Sequence, residues 1–140
     1  MNITQVTQKT PEFETFEKQQ WSVQDTEHFG HDINWDKAPY LLQAEDKGKI
    51  VGILDMNIKG GVAKIEGLLV DQNRHRQGIG KQLVVEAEHI AKEAGAHKMY
   101  LITGKTWQAS RFYQAMGYEP EGMLKRHHQG EDWIQFSKFF

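Results

Sequence analysis

The sequence predicts an α+β domain: a mixed, mainly antiparallel sheet flanked by helices. Three observations predict it. First, three consecutive runs with strand character, Tyr40–Asp46, Lys49–Ile58 and Val62–Asp71, are separated only by "KG" and "KGG" turns. Strands joined so tightly pair antiparallel. Second, from Ile79 to Ala94 the apolar period changes. Ile79, Leu83, Val84, Ala87, Ile90, Ala91 and Ala94 recur at three- and four-residue steps, the mark of an amphipathic helix. Third, a buried-type strand, another helix and a closing hairpin follow, so strands run together in a meander rather than alternating strictly with helices.

The elements are justified in order. Asn2–Val6 reads as a short first strand. Thr10–Trp21 reads as a helix, with Thr10 as cap, Pro11 in the first turn, Glu12 and Glu14 at its positive end, and Phe13, Phe16 and Trp21 giving one apolar side. Ser22–Pro39 is polar and irregular, with room for a short helix and a loop. In Lys49–Ile58 strict alternation places Val51, Ile53 and Asp55 on one face. The helix from Ile79 is closed by Gly95. His97–Thr103 is the next strand, and Trp107–Met116 the next helix, stopped by Gly117. "YEPEGMLKRHH", the turn "QGED" and "WIQFSKFF" make the closing hairpin.

Composition excludes several classes. The 140 residues suit one domain, taken as 1–140. There is no cysteine, hence no disulfide frame, thiolate nucleophile or zinc–thiolate site. A formal net charge of −2 argues against a general nucleic-acid binder. No apolar run approaches the roughly 18 residues of a membrane span, and "MNITQVTQKT" lacks the pattern of a signal peptide. A cytoplasmic protein is expected, with a homodimer left open. His28, His31 and the pair His127–His128 lack the spacing and mixed ligands of a metal site, so none is expected.

The stretch "DQNRHRQGIGKQLV" lies between the end of a strand and the start of a helix. The first N–H groups of a helix have no intrahelical partner, and the macrodipole puts partial positive charge there. Gly78 and Gly80 remove side chains that would keep an anion from those groups. Arg74, Arg76 and Lys81 add full charges, and a diphosphate is a natural ligand. The dinucleotide fingerprint fails because Leu83 stands where a third glycine or alanine is required. The P-loop fails at His75 and Gln82. A basic turn that merely connects two elements is the plainer alternative.

"LLVDQNRHRQGIGKQLV", followed about thirty residues later by "ASRFYQAMGYE", resembles the GNAT superfamily of N-acetyltransferases. That family carries R/Q-x-x-G-x-G/A after its fourth strand and N-x-x-A-x-x-x-Y-x-x-x-G-F/Y later. The element order agrees from about Tyr40 onward. His75 stands at the R/Q position and Thr106 at the asparagine, each touching only a side-chain contact.

The resemblance implies the GNAT, or acyl-CoA N-acyltransferase-like, fold and acetyl-CoA as co-substrate. The pantetheine arm would lie where two strands part, against main-chain groups of Leu68, Leu69 and Val70. Arg76, Gln77, Gly78, Ile79, Gly80 and Lys81 would surround the diphosphate, with Thr106 and Ser110 also on the cofactor side. Tyr113 would protonate the departing thiolate, or else be a packed aromatic. Glu66, sharing strand parity with Leu68 and Val70, would take the amine's proton, or else form a structural ion pair with Lys64 or Lys98. The implied reaction is direct attack of a primary amine on the thioester in a ternary complex. The acceptor would be a small-molecule or peptide amine. Asp25, Glu27, Asp32 and Asp36, among Trp21, Phe29 and Trp35, would suit a cationic one. The rival readings are a non-catalytic acyl-CoA-binding sensor or partner module, and transfer of a longer acyl group.

Overall fold

Thr10 is extended and its hydroxyl accepts from the Phe13 N–H, which starts helix α1 at Pro11. In the computed structural model, which describes residues 1–140, α1 runs Pro11–Phe29 and stops at Gly30, which is left-handed at φ 81°. The helix is thus longer than expected. Ser22–Phe29 contains no proline or glycine, and its polar character alone does not break a helix. Asn2–Val6 forms no strand.

The chain divides into two units, Met1–Trp35 and Asp36–Phe140. Within the first, the buried Asp25 carboxylate accepts from the Ile33 N–H (3.1 Å) and the Trp35 indole (3.0 Å), and Ser22 donates to Asp32 (2.6 Å). Two of the acids expected to face a ligand therefore order the segment after α1. Phe13, Phe16 and Trp21 do share one side of the helix.

The second unit holds six strands: β1 (Ala38–Asp46), β2 (Lys49–Lys59), β3 (Val62–Val70), β4 (Lys98–Gly104), β5 (Glu119–Leu124) and β6 (Trp133–Phe139). Helices α2 (Ile79–Glu93) and α3 (Gln108–Ala115) flank β4 in sequence. The sheet order is β1-β2-β3-β4-β6-β5, and every pair is antiparallel except β3–β4. This is the expected mixed, mainly antiparallel sheet with helices. No helix is long and apolar enough to cross a membrane.

Two bulges correct the alternation expected from sequence. Ala44 faces Gly52 while Glu45 faces Ile50, so Val51 is an extra residue in β2. Val51 therefore turns inward with Leu54, Met56 and Ile58, whereas Ile53 and Asp55 are exposed. In β3, Ile65 faces Met56 and Gly67 faces Asp55, leaving Glu66 unpaired between them.

The core lies between this sheet and the apolar face of α2. Leu83, Val84, Ala87 and Ala91 pack against Leu54, Met56, Ile65 and Met99. Each large side chain of that set contributes roughly 1.5–3 kcal/mol. Gly52 sets how near the helix lies: a Cβ there would stand 2.9 Å from Ile79 Cγ2 and 3.1 Å from Leu83 Cδ1. The first turn of α2 is thereby held directly against β2. Glu88, on the same helix, receives the Tyr118 hydroxyl (3.0 Å) and the Lys138 ammonium (3.1 Å), tying α2 to β6.

Candidate active site

The parallel pairing of β3 with β4 covers only Val62–Lys64 and Lys98–Tyr100. Beyond these rungs the strands part, so Leu68–Val70 and Leu101–Gly104 pair only on their outer sides, with β2 and β6. A cleft of about 450 Å³ opens where β3 ends. Its lining includes Leu68, Val70, Arg76, Gly78, Ile79, Gly80, Lys81 and Tyr113.

The start of α2 shapes one wall. Asp71 accepts from the Asn73 N–H (2.9 Å), forming a short 3-10 turn, Gln72–Arg74. Arg76 is left-handed at φ 65°, and Gly78, the residue before the helix, at φ 77°; no side chain caps the helix. The main-chain N–H groups of Ile79, Gly80 and Lys81 are therefore without intrahelical partners. Nothing stands within 4 Å of a Cβ built on Gly78. Arg74 is paired with Asp46 at 2.7 Å, whereas Arg76 and Lys81 form no ion pair. The result is a concave, cationic surface of backbone donors and two unpaired charges, suited to an oxyanion.

α3 shapes the other wall through Gln108, Ala109 and Phe112, none of which the sequence reading singled out. The small Ala109 of the motif was the available signal. Tyr113 is 5% exposed and stacks edge-on with Phe112 and Tyr118. Its hydroxyl makes no hydrogen bond within the chain, yet no buried side-chain oxygen is left unpartnered, so that oxygen reaches solvent through the cleft. Burial pushes its pKa up, so the phenol is protonated at neutral pH.

The remaining expected residues lie outside the lining. Leu69 is largely exposed on the opposite face. Gln77 precedes Gly78 in the turn. Ser110 donates to the Gly104 carbonyl (3.3 Å), and Thr106 lines a different cleft. Glu66 is the notable displacement. Its bulge breaks the parity with Leu68 and Val70 and puts the carboxylate on the face away from α2, with Asn57 Nδ2 at 2.7 Å and Lys64 Nζ at 3.0 Å. Desolvation pushes that carboxyl up. The hydrogen bonds from Lys64 and Asn57 and the charges of Lys64 and Lys37 outweigh it and hold it below the usual range. His75, which stands at the R/Q position of the motif, has a ring nitrogen 3.2 Å from the Val70 carbonyl.

Comparison with known proteins agrees with this geometry. A chain from Bacillus subtilis (strain 168), the uncharacterized protein YyaT, is 38% identical over 69 residues, 49% of this chain. The matched part spans 45% of that protein, so this chain corresponds to about half its length. The crystal structure of an acetyltransferase from Bacillus cereus ATCC 14579 superposes with a TM-score of 0.74, at 25% identity over 98% of both chains. A Bacillus subtilis acetyltransferase solved in complex with CoA has the same fold, with a TM-score of 0.68 at 18% identity, covering 73% of this chain and 77% of that one. The model of the acetyltransferase (GNAT) family matches residues 8–118, a span that takes in the parted strands, the glycine turn and Tyr113. By that match and the fold that accompanies it, this chain belongs to the GNAT acetyltransferase family.

Proposed function

We propose that this protein transfers an acetyl group from acetyl-CoA to a primary amine, by direct attack in a ternary complex. One observation carries the reading. The uncapped start of α2, with Arg76 and Lys81, and the hydroxyl of Tyr113 open into one cleft beside the point where β3 and β4 part. The first suits a diphosphate and the second a sulfur, the two ends of a CoA thioester.

In this reading the diphosphate accepts from the N–H groups of Ile79, Gly80 and Lys81, with the side chains of Arg76 and Lys81 against its charge and the Gln77 main chain at its rim. The main-chain groups of the Leu68, Leu69 and Val70 stretch that face the gap rather than β2 take the pantetheine amides, with Thr106 and Ser110 beyond them. The neutral amine nitrogen then attacks the thioester carbonyl carbon. The C–S bond breaks, the acylated nitrogen releases a proton to water to become the amide, and the sulfur takes a proton from the Tyr113 hydroxyl, which recovers one from solvent. Glu66, ionised on the other face, draws the ammonium form toward the gap and passes its proton to water. A carboxyl held low is a weak base, so its contribution is to gather and orient more than to abstract.

The test is an amine panel with acetyl-CoA, read by release of free thiol. Turnover with at least one amine supports the reading; thiol release with none, while CoA still binds, makes the chain an acyl-CoA-binding module. Gly80→Glu fixes the cofactor's position. A Cβ at Gly80 meets only ordinary contacts, 3.5 Å to Phe112 and 3.6 Å to Val70, so the chain should fold. Its carboxylate should abolish CoA binding by calorimetry, and unchanged affinity would displace the diphosphate from this turn.

A further inference from the structure

A second cleft, of about 750 Å³, lies on the other side of the start of α3, between the β4–α3 turn and the β5–β6 hairpin. The main-chain bond from the Lys105 N–H to the Asp132 carbonyl, at 3.1 Å, ties its two sides together. Trp107 and Trp133 meet edge to face, 4.9 Å apart, and His128 stacks against Trp133 at the same distance. The Trp133 N–H is spent on the His128 carbonyl (3.2 Å), so what Trp133 has left to offer is its ring. Trp107 is 57% exposed. A large aromatic is held in that position because Gly104 lies under it: a Cβ there would stand 2.4 Å from the indole.

The charge of this lining is opposite to that of the first cleft. The first has Arg74, Arg76 and Lys81 and no acid. The second has Glu131, Asp132 and one ammonium, Lys105. The Glu131 carboxylate has no hydrogen bond or ion pair, and Asp132 commits only one oxygen, to the Arg126 N–H (3.0 Å). The loop that carries these groups is wound through left-handed non-glycine residues, Arg126 at φ 48° and Gln129 at φ 58°. Such conformations cost energy and gather at ligand clamps.

We infer that this cleft binds an organic cation bearing a flat or apolar group. The π faces of Trp107 and Trp133 attract the cation, and Glu131 with Asp132 neutralise it. Resting on the reading proposed above, this cation is the acceptor amine, which arrives protonated. Trp107, Trp133 and Glu131 are then the residues that select it.

Binding is tested apart from acetyl transfer, using benzyltrimethylammonium, a permanent cation that cannot be acetylated, and phenylacetate, an anion with the same ring. The full-length chain, labelled with nitrogen-15, is titrated with each. The cation should shift the indole N–H signals of Trp107 and Trp133 and spare those of Trp21 and Trp35. It should bind at least about threefold more tightly than phenylacetate, and Trp107→Ala should weaken it by about three- to thirtyfold. Glu131→Gln, at an exposed position that the fold does not need, should weaken the cation alone. Gly104→Ala, which must push the Trp107 indole aside, should act like Trp107→Ala. Phenylacetate binding as tightly as the cation, shifts confined to other tryptophans, or an unchanged affinity in both Trp107→Ala and Glu131→Gln would overturn the inference. A chain that binds the cation here but acetylates no amine sinks the proposed function and leaves the site standing. One that acetylates a panel amine with an unchanged KM in Trp107→Ala refutes the cleft's role as acceptor site and leaves the proposed function intact.

Discussion

Lys138→Met isolates one tie between helix α2 and the far half of the sheet. The lysine Nζ lies 3.1 Å from both oxygens of Glu88 and 3.0 Å from the Met116 carbonyl. Methionine keeps most of the apolar stem and deletes the ammonium. Glu88, whose side chain is 9% exposed, is then left with a single donor, the Tyr118 hydroxyl at 3.0 Å. Removing one partner of a fully buried pair costs about 3–5 kcal/mol. Here the lysine side chain is 30% exposed, so water screens part of the attraction. A loss of about 1–3 kcal/mol is the scaled expectation. For a chain of 140 residues the unfolding entropy is roughly 0.3 kcal/mol/K, which converts that loss into a fall in Tm of about 3–10 °C. The assay is calorimetric melting of wild type, Lys138→Met, Glu88→Gln and the double variant. The double variant should melt above Lys138→Met, because a neutral amide needs no counter-charge. A Lys138→Met melt within about 1 °C of wild type, or a double variant whose losses simply add, would refute the reasoning.

Three further outcomes are expected. Tyr113→Phe retains the ring packing and removes the donor, so kcat should fall at least about tenfold with little change in Tm or in the KM for acetyl-CoA; steady-state kinetics beside a melt decide it. Glu66→Gln should raise the KM for the amine more than it lowers kcat, and the defect should shrink at higher pH, where neutral amine is plentiful; equal pH profiles for the two proteins would make Glu66 a structural partner of Lys64. Glu121 is held at about 2 by hydrogen bonds from Lys98 and Ser137, against some desolvation, with a further bond from Gln135. Its folded pKa lies below an unfolded value of about 4.3, so its stabilisation is complete above that value and is lost as the pH falls toward 2. The urea midpoint of Glu121→Gln should therefore fall less steeply than wild type between about pH 5 and 2.

The meander, both later helices and the glycine turn were legible because each rests on local chemistry: Gly-containing turns, a 3.6 period, a helix start free of side chains. What was not legible is non-local. Val51 and Glu66 are bulge residues, and an alternation pattern cannot announce an inserted residue whose partner strand defines it. Glu66 consequently moved to the other face, away from Leu68 and Val70. Trp107 and Trp133 stand 26 positions apart and meet only because β4 pairs with β6. The extension of α1 was readable in principle: Gly30 is the stop signal, while Ser22 is an internal polar residue held by Asp32.

The three rungs joining β3 to β4 have a consequence for the order in which the chain folds. β1, β2 and β3 close through tight turns, and their contacts are near in sequence, so their loop-closure cost is small. The parallel junction needs the whole α2 crossover first and returns only Val62–Lys64 against Lys98–Tyr100 for it. Contacts so few and so distant are expected to form late, after the rate-limiting barrier. Substitutions along that junction should then hasten unfolding and leave refolding almost untouched. The gap in the sheet would be a lasting mark of the last contact made: a junction short enough to leave strand edges unspent also asks little of the nucleus that precedes it.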